Sequence, residues 1–421
     1  MAETLLKELC TFGFRLEPEG QNLKYKAPRG QLTPALLGRI KACKKGLLDL
    51  IRALPIEVHK HINQVVQGDA SEVLRQIPDN CIDQLVTDPP YGIKFMGKQW
   101  DKALTGPEVW KECLRVLKPG SFAFIMASPR QDVLSRMTSM LEAVGFDTGF
   151  SSIFWTYASG FPKAHNISKI VVRRQGEKKI TSEVRRIVGS YAGFQPKPAV
   201  EVIIVAMKPR AEKTYTDQAL ANGKGITWLD DCAIPYDSEG PGRFPANLLV
   251  SDNVLDNGKG CQNGYSRFFS LDAWANLHLR DLPEQVQETF PLLIVPKAGR
   301  REREDGLEDI PEKVIKGRDS GQDQRNNAFK PRPTVRRNNH PTVKPIQLMA
   351  YLITMGSRVN DIVIDPFAGS GTTLISARKL GRRFIGIEQE AEYHEIATKR
   401  LLHHTMQMGK EQKQERERCL T

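Results

Sequence analysis

One short segment constrains this chain more than any other, because an apolar stretch stops abruptly in two prolines. Residues 85–91 read Leu-Val-Thr-Asp-Pro-Pro-Tyr, so the stretch ends in Asp88, Pro89, Pro90 and Tyr91. Proline cannot donate a backbone hydrogen bond to a neighbouring strand, so a strand must end here. Ligands bind at the carboxyl edge of open α/β sheets. A carboxylate, a rigid turn and an aromatic ring at that edge predict a site for a flat, amino-bearing heterocycle such as a nucleobase.

From residue 62 onward, apolar strand-like segments alternate with helical ones. This alternation is typical of a mostly parallel sheet that is covered by helices on both faces. We therefore predict an α/β fold with a doubly wound sheet. The predicted strands are 65–66, 82–87, 121–127, 151–157, 200–207, 361–365 and 383–388. The predicted helices are 70–77, 107–117, 130–144, 345–355, 372–380 and 390–402.

A glycine-rich turn follows the predicted strand that ends at Asp365. The turn consists of Pro366, Phe367, Ala368, Gly369, Ser370, Gly371 and Thr372. Glycines let a ligand approach the backbone closely, and the N-terminus of the next helix favours negative charge. No lysine follows the glycines and the spacing is not G-x-G-x-x-G, which excludes the triphosphatase and dinucleotide motifs. The next strand ends in Glu388, which can accept both hydroxyls of a ribose, so the pattern fits an adenosine-containing cofactor without a polyphosphate.

These motifs occur together in one known family. The strand end at residues 88–91 resembles the catalytic motif of DNA amino-methyltransferases, and the glycine turn resembles their S-adenosylmethionine site. Because the catalytic motif comes first and a long insert separates the two, the chain resembles the beta class. Two further segments match, Asn-His-Pro-Thr-Val-Lys-Pro at 339–345 and Gly-Asp-Ala at 68–70. The matches span residues 62–405 in the order of the family.

The resemblance implies transfer of a methyl group from S-adenosylmethionine to an exocyclic amino group of a base in double-stranded DNA. It implies the methyltransferase type of doubly wound sheet, and it implies no metal. Its catalytic residues are Asp88, Pro89, Pro90 and Tyr91. Its cofactor-binding residues are Asp69, Thr342, Lys344, Asp365, Pro366, Phe367, Ala368, Gly369, Ser370, Gly371, Thr372 and Glu388. Taken singly, each motif has a structural interpretation; Asp69, for example, could simply cap a helix.

The target amine is a poor nucleophile because its lone pair is delocalised into the ring. If Asp88 and the carbonyl of Pro89 accept its two protons, the lone pair can point at the methyl group for direct in-line transfer. The base must be flipped out of the duplex, and we expect Tyr91 to stack on it, with Phe95 and Trp100 nearby.

In the family, the Asp form of the catalytic motif is associated with adenine N6 and a Ser form with cytosine N4. Asp88 therefore favours an adenine-N6 methyltransferase, and an N4-cytosine enzyme is the alternative. A non-catalytic DNA-binding or docking scaffold is a third possibility. The intact motif residues count against it, namely Asp88, Tyr91, Gly369, Gly371 and Glu388. Methylation of RNA or protein is a further alternative.

Residues 1–54 form a separate predicted unit. A helix over 2–12 precedes a short hairpin, and Thr33 caps a second helix whose apolar stripe continues to Ile51. The unit resembles the N-terminal docking domains of hybrid peptide-synthetase assembly lines. The resemblance implies a protein partner or a homodimer, and an accessory helical cap is the alternative.

Residues 209–338 interrupt the alternation with many Gly, Pro, Asn and Asp residues. The end of this stretch carries a basic cluster with no acidic residue between its members. The cluster comprises Arg325, Lys330, Arg332, Arg336 and Arg337. Long loops in compact domains are usually functional or disordered, and we predict a DNA-contacting insert, with a solvated loop as the alternative. A second basic cluster lies within 173–186.

The sequence as a whole predicts five segments. They are 1–54 (docking-like), 57–208 (catalytic), 209–338 (target recognition), 339–405 (cofactor-binding) and 406–421 (charged tail).

The net charge indicates the kind of partner to expect, and the cysteine spacing indicates the cellular compartment. Lys and Arg outnumber Asp and Glu by 61 to 49, and the formal net charge of +12 suits a polyanionic partner such as DNA. The seven cysteines include no C-x-x-C pair, which indicates a reducing compartment and neither disulfides nor a zinc site. Since no signal segment or membrane-spanning apolar run is present, we expect a cytoplasmic protein with no membrane partner.

Overall fold

A small N-terminal unit and a large α/β unit make up the described part of the chain. In the computed structural model, the described residues are 2–11, 14–19, 22–27, 32–52, 56–93, 99–157, 165–175, 182–194, 200–235, 242–250, 255, 265–278, 298–315 and 334–418.

The N-terminal unit has a hydrophobic core of its own. Its described elements are α1 (Ala2–Thr11), β1 (Arg15–Glu19), β2 (Asn22–Lys26), α2 (Pro34–Ala42) and α3 (Lys44–Arg52). The antiparallel pairing of β1 with β2 confirms the predicted hairpin. Apolar side chains from the helices pack together beneath the hairpin. They include Leu5, Leu9, Phe14, Leu36, Ile40 and Leu47.

The predicted second helix is divided into α2 and α3 by a turn at Cys43. Thr33 caps α2 as predicted, since its hydroxyl accepts a hydrogen bond from the amide three residues later at 3.2 Å. The expectation of one continuous helix to Ile51 is wrong. Gly46 lies just beyond the turn, where it weakens a helix by about 1 kcal/mol relative to alanine. A side chain there is excluded by α1, because a Cβ at residue 46 would lie 2.7 Å from that of Ala2.

The described strands after the hairpin are β3 (Gln64–Gln67), β4 (Gln84–Thr87), β5 (Phe122–Ala127), β6 (Ile153–Thr156), β7 (Val200–Met207), β8 (Leu248–Val250), β9 (Lys313–Ile315), β10 (Thr334–Arg336), β11 (Ile362–Asp365) and β12 (Arg383–Glu388). Eight of these strands form the central sheet of the large unit, in the order β3-β12-β11-β4-β5-β7-β6-β8. Neighbours from β3 to β5 run parallel, whereas β7 is antiparallel to both β5 and β6. β9 and β10 pair separately.

Helices cover both faces of this sheet. They are α4 (Ile56–His59), α5 (Ala70–Arg75), α6 (Pro107–Val116), α7 (Gln131–Val144), α8 (Ile167–Gln175), α9 (Ser182–Arg186), α10 (Tyr215–Asn222), α11 (Leu271–His278), α12 (Arg300–Glu304), α13 (Ile346–Gly356), α14 (Thr372–Lys379) and α15 (Ala391–Arg418). Every residue of β5 and of α13 is buried. Two large apolar clusters result, one on each face, which confirms the doubly wound α/β fold. Each predicted strand and helix of this unit overlaps an observed one.

Parallel pairing brings the functional motifs to one edge of the sheet. β4 and β12 both pair with β11, so Asp88, Asp365 and Glu388 lie at the carboxyl ends of three adjacent strands. β7 runs in the opposite direction, and its early residue Glu201 therefore lies at the same edge. The loop between β6 and β7 also begins and ends at this edge.

Part of the predicted insert belongs to the scaffold of the sheet. Lys224 Nζ lies 2.9 Å from Asp83 Oδ1 and 2.8 Å from Asp361 Oδ2, and these aspartates precede β4 and β11. Residue 224 therefore lies at the amino edge, opposite Asp88. Trp274 of α11 is fully buried against α13. The basic residues at 325, 330 and 332 fall outside the described residues.

Candidate active site

A hydrogen bond between two strand ends holds the carboxyl edge together. Thr87 Oγ1 at the end of β4 donates to Asp365 Oδ1 of β11 at 2.6 Å, across 278 residues of chain. The Phe367 amide donates to the same oxygen at 3.1 Å. Burial raises the pKa of Asp365 to about 6. Asp365 thus fixes the end of β4 relative to the start of the glycine turn.

The glycine turn bends through two left-handed residues. Gly369 has φ +53° and Gly371 has φ +81°, conformations that other residues adopt only at a cost. The Ala368 amide donates to the Ile387 carbonyl at 2.9 Å, which ties the turn to β12. The Gly371 amide donates to the Ala368 carbonyl at 2.7 Å and closes the turn.

A buried arginine of α15 holds the glycine turn through hydrogen bonds. Arg400 of α15 is fully buried and donates from Nη1 to the Ser370 carbonyl at 2.6 Å. The same nitrogen lies 3.4 Å from Thr372 Oγ1, and Nη2 donates to the Glu302 carbonyl at 3.0 Å. Ser370 and Thr372 are themselves buried, so their contacts hold the turn in place.

Glu388 is a buried carboxylate at the end of β12. Its Oε2 accepts a hydrogen bond from the Gly369 amide and its Oε1 from the Glu390 amide, both at 2.8 Å. Burial raises the pKa of Glu388 to about 7, although the two amide bonds oppose the shift. Each oxygen retains a lone pair, so the carboxylate can accept further hydrogen bonds from a ligand.

Asp69 caps α5 next to Glu388. Its Oδ1 accepts hydrogen bonds from the Ser71 amide at 2.8 Å and from the Ser71 hydroxyl at 2.6 Å. The Gly68 amide donates to the Glu388 carbonyl at 3.0 Å, which places the cap beside the end of β12. The structural role of Asp69 is therefore visible, and its predicted contact with the cofactor adenine stays a prediction.

The residues around the turn fit an adenosine-type group. A Cβ at Gly369 would lie 2.9 Å from His340 Nε2, so glycine lets the His340 ring pack directly against the turn. Glu388 supplies carboxylate acceptors at the end of β12, beside this turn. Such acceptors suit the hydroxyl groups of a ribose.

Asp88 is held by two donors from the protein itself. Tyr91 donates its hydroxyl to Asp88 Oδ1 at 2.7 Å. The Lys344 ammonium donates to Asp88 Oδ2. Burial raises the pKa of Asp88, even though the Lys344 charge acts in the opposite direction. Pro89 is buried and Pro90 half-buried behind this carboxylate.

Lys344 joins Asp88 to a second carboxylate. Its Nζ lies 3.5 Å from Glu201 Oε2, and the side chains of all three residues are at most 16% exposed. Burial alone would lower the pKa of Lys344, but Asp88 and Glu201 outweigh it and raise that pKa. Two carboxylates therefore share one ammonium, and the cluster carries a net negative charge. Tyr157 contacts Glu201 from the far side, with its hydroxyl 3.5 Å from Oε1.

Segment 339–345 lies between the glycine turn, where His340 packs beside Gly369, and Asp88, which Lys344 contacts. His340 packs edge-on against Tyr393, with ring centroids 4.5 Å apart, and stacks on Trp100 at 6.2 Å. Arg303 Nη2 donates to the His340 carbonyl at 2.5 Å. Thr342 is half-buried in this segment. Lys344 at its end contacts Asp88 and Glu201, and its predicted role in cofactor binding stays a prediction.

The loop between β6 and β7 begins and ends at the carboxyl edge, and several of its basic and aromatic side chains are exposed. Its described residues are 165–175 and 182–194. Arg185 and Arg186 of α9 are exposed. Tyr191 is 50% exposed and Phe194 is 93% exposed. Exposed aromatic and cationic groups together are suited to contacts with nucleic acid.

The structure brings the predicted catalytic and cofactor residues to one edge, apart from Phe95, which lies outside the described residues. Sequence reasoning missed two residues, Glu201 and Arg400. Glu201 had a detectable signal, because it is a lone carboxylate near the start of an otherwise apolar strand. Arg400 had none, since an arginine in a terminal amphipathic helix is ordinarily solvent-exposed.

The strand order, with antiparallel β7 between β5 and β6, makes this an α/β protein of the S-adenosylmethionine-dependent methyltransferase class. A family model described as a DNA methylase matches residues 82–399. The chain therefore belongs to this family of N6 and N4 DNA methylases. A model of the TubC N-terminal docking domain matches residues 3–52.

Two curated relatives share a short and well-matched segment with this chain. The type II methyltransferases M2.DpnII of Streptococcus pneumoniae and M2.LlaDCHI of Lactococcus lactis subsp. cremoris are 53% and 52% identical to it over 62 residues. The segment covers 15% of this chain and 23% of each relative. The chain thus matches less than a quarter of the length of these relatives.

Solved structures of two DNA methyltransferases align with most of the chain at low identity. The PvuII DNA methyltransferase, which is cytosine-N4-specific, is 16% identical with a TM-score of 0.41, covering 83% of this chain and 95% of its own. The M1.HpyAVI structure is 18% identical with a TM-score of 0.38, covering 80% and 98%.

The described residues contain neither a candidate metal cluster nor a helix suited to spanning a membrane. No group of three or more His, Cys, Asp or Glu side chains there could hold a metal ion. No helix in the same ranges combines the length and apolar character needed to cross a bilayer.

Proposed function

We propose that this protein methylates the exocyclic N6 of adenine in double-stranded DNA, with S-adenosylmethionine as the methyl donor, in the cytoplasm. The observation that carries the proposal is the position of Asp88 and the glycine turn on adjacent strands, joined by the bond between Thr87 and Asp365. A methyl donor at the turn and an amine at Asp88 would therefore meet at one edge.

The cofactor half of the site is assigned to the glycine turn and Glu388. When bound, S-adenosylmethionine supplies an electrophilic methyl group on a sulfonium. Glu388 would accept hydrogen bonds from the ribose hydroxyls, the glycine turn would lie along the ligand, and Asp69 would approach the adenine. Segment 339–345 would border the methionine end.

The catalytic half acts by positioning the amine and by stabilising charge. Asp88 and the Pro89 carbonyl accept the two amino hydrogens, which draws the nitrogen toward tetrahedral geometry and frees its lone pair. When the N–CH₃ bond forms and the S–CH₃ bond breaks, leaving a neutral thioether, the nitrogen would become cationic and the nearby Asp88 carboxylate would stabilise that charge. The nitrogen then loses one proton, and the raised pKa of Asp88 makes this carboxylate a suitable acceptor.

Access to the amine requires the base to leave the duplex, at a cost of a few kcal/mol. Tyr91, whose hydroxyl is fixed by Asp88, would present its ring to the flipped base. The exposed residues of the β6–β7 loop, including Arg185, Arg186 and Phe194, would provide cationic and aromatic contacts to DNA. The later part of the insert, with Arg336 and Arg337, would supply further contacts to phosphates.

The test is direct identification of the product. The protein is incubated with labelled S-adenosylmethionine and duplex DNA of mixed sequence, and the modified nucleosides are separated by mass spectrometry. N6-methyladenine is expected. N4-methylcytosine would support the alternative that the family allows, and label transfer to neither base would contradict the proposal.

Cofactor affinity should depend on pH through Glu388. Its pKa of about 7 means that lowering the pH through neutrality protonates the carboxylate and weakens its hydrogen bonds with ribose. Between pH 8 and pH 6 the affinity for S-adenosylmethionine should fall about tenfold. Below its pKa, Glu388 must lose a proton before the cofactor binds, and this cost grows as the pH falls. Isothermal titration at several pH values measures this. The variant Glu388→Gln should bind weakly at all pH values, and an unchanged affinity of the wild type across this range would contradict the assignment.

Residues 1–54 are proposed to act as a separate interaction module, for a protein partner or for self-association. Their own core supports this division. Deleting residues 2–52 should leave the rate of methyl transfer unchanged. If the module joins two copies, the full chain elutes as a dimer in size-exclusion chromatography and the truncated chain as a monomer. A folded but inactive truncated protein would contradict the division.

A further inference from the structure

Both oxygens of the Asp88 carboxylate are engaged by the protein's own donors. Tyr91 occupies Oδ1 at 2.7 Å, and the Lys344 ammonium occupies Oδ2. Each oxygen keeps a further lone pair for a target amine, but the contact with Lys344 neutralises the charge that should stabilise the reacting nitrogen. The proposed function, on which this inference rests, is therefore favoured when the ammonium moves away from Asp88.

Glu201 offers the ammonium a second partner within reach. Its Oε2 is 3.5 Å from Lys344 Nζ, at the start of β7. Lysine carries its charge on a flexible four-carbon stem, so a small rotation can exchange one carboxylate for the other. Because Lys344 is 8% exposed, an ammonium that left Asp88 without another carboxylate would be buried and unpaired, which is strongly unfavourable.

We propose that Glu201 is a positioning residue that takes the Lys344 ammonium when a target amine binds Asp88. Lys344 then neutralises Asp88 only while no base is present. The exchange also changes the charge at the reacting nitrogen. With Lys344 on Asp88, the carboxylate is neutralised and stabilises a developing positive charge poorly; with Lys344 on Glu201, its full negative charge faces the nitrogen.

Glu201→Gln tests the exchange, because it keeps the shape of the side chain and removes its charge. Lys344 should then remain on Asp88. The rate of methyl transfer at saturating cofactor and DNA should fall about 10²-fold, the size of effect that losing one preorganised group has on a transition state. Affinity for S-adenosylmethionine, measured by equilibrium titration, should be unchanged.

The decisive variant is the double substitution Glu201→Gln with Lys344→Met, which removes the competing ammonium as well. We expect it to recover at least tenfold of the lost rate at saturating S-adenosylmethionine, a condition that allows for the predicted role of Lys344 in cofactor binding. A purely structural ion cluster predicts no recovery, since Lys344→Met leaves the buried Asp88 carboxylate without its cation. A double variant that is no faster than Glu201→Gln, or a Glu201→Gln rate equal to that of the wild type, would overturn the inference.

Asp83→Asn is the matched control, because Asp83 is a buried carboxylate that shares Lys224 at the opposite edge of the same sheet. It should lower the thermal midpoint and leave the rate per folded molecule unchanged. Failure of the inference differs from failure of the proposed function, since only the latter leaves the wild type without methyl transfer to any DNA. That result would overturn both.

Discussion

Replacement of Asp88 by alanine should abolish methyl transfer while leaving cofactor binding intact. In the structure, Asp88 accepts hydrogen bonds from Tyr91 and Lys344 and faces the position assigned to the target amine. Gly369 and Glu388, which are assigned to the cofactor, bond with each other, and Lys344 keeps Glu201 as a partner when Asp88 is removed. The rate should fall by more than about 10²-fold, because a preorganised charge that acts mainly in the transition state is lost.

The fold should survive this substitution because Lys344 is not left without a partner. Removing one partner of a buried ion pair costs about 3–5 kcal/mol when the other charge becomes unpaired. Here Glu201 remains 3.5 Å from the ammonium, so the expected loss of stability is smaller. Thermal unfolding measures this loss, and equilibrium titration with S-adenosylmethionine measures cofactor binding on the same samples.

Asp88→Asn separates charge from hydrogen bonding at the same position. Asparagine retains one acceptor oxygen but has no negative charge and cannot take a proton from the product. Its methyl-transfer rate should lie between those of the wild type and the alanine variant. If either variant lost cofactor binding while remaining folded, Asp88 would belong to the cofactor half of the site and the division proposed above would be wrong.

The sheet was predictable because its strands carry their signal locally. β5, β7, β11 and β12 are short apolar runs bounded by turn residues, and burial on both faces requires such runs. The edge on which Asp88 and Glu388 meet followed from parallel pairing alone. The same local reasoning missed the break between α2 and α3, because the close approach of α1 to Gly46 is a contact between distant residues.

The contacts of the site were less predictable than its residues. Lys344 and Asp88 are 256 residues apart, and nothing in either motif indicates that they meet. Asp69 shows the opposite case, in which a residue assigned to a ligand also has a local role as a helix cap. A sequence motif identifies which side chains gather at an edge, whereas their pairing depends on how three or more elements pack.

Gly371 is a position where backbone geometry and cofactor binding are directly linked. Its φ of +81° lies in the left-handed region, which is especially unfavourable for a β-branched residue. A Cβ at this position would lie 3.1 Å from the Cβ of Ala397 on α15. A larger side chain must therefore push the turn away from α15, and the turn carries the Gly369 amide that holds Glu388 at 2.8 Å.

Gly371→Val should abolish binding of S-adenosylmethionine and lower stability by about 1–3 kcal/mol through backbone strain. Gly223→Val is the matched control, because Gly223 has φ +71° with no atom near its missing Cβ and lies at the end of α10, far from the turn. Both variants should unfold at lower temperature, but only Gly371→Val should lose the cofactor in equilibrium titration. Equal affinity in the two folded variants would contradict the assignment of the turn, because strain at residue 371 would then have no consequence for the ligand.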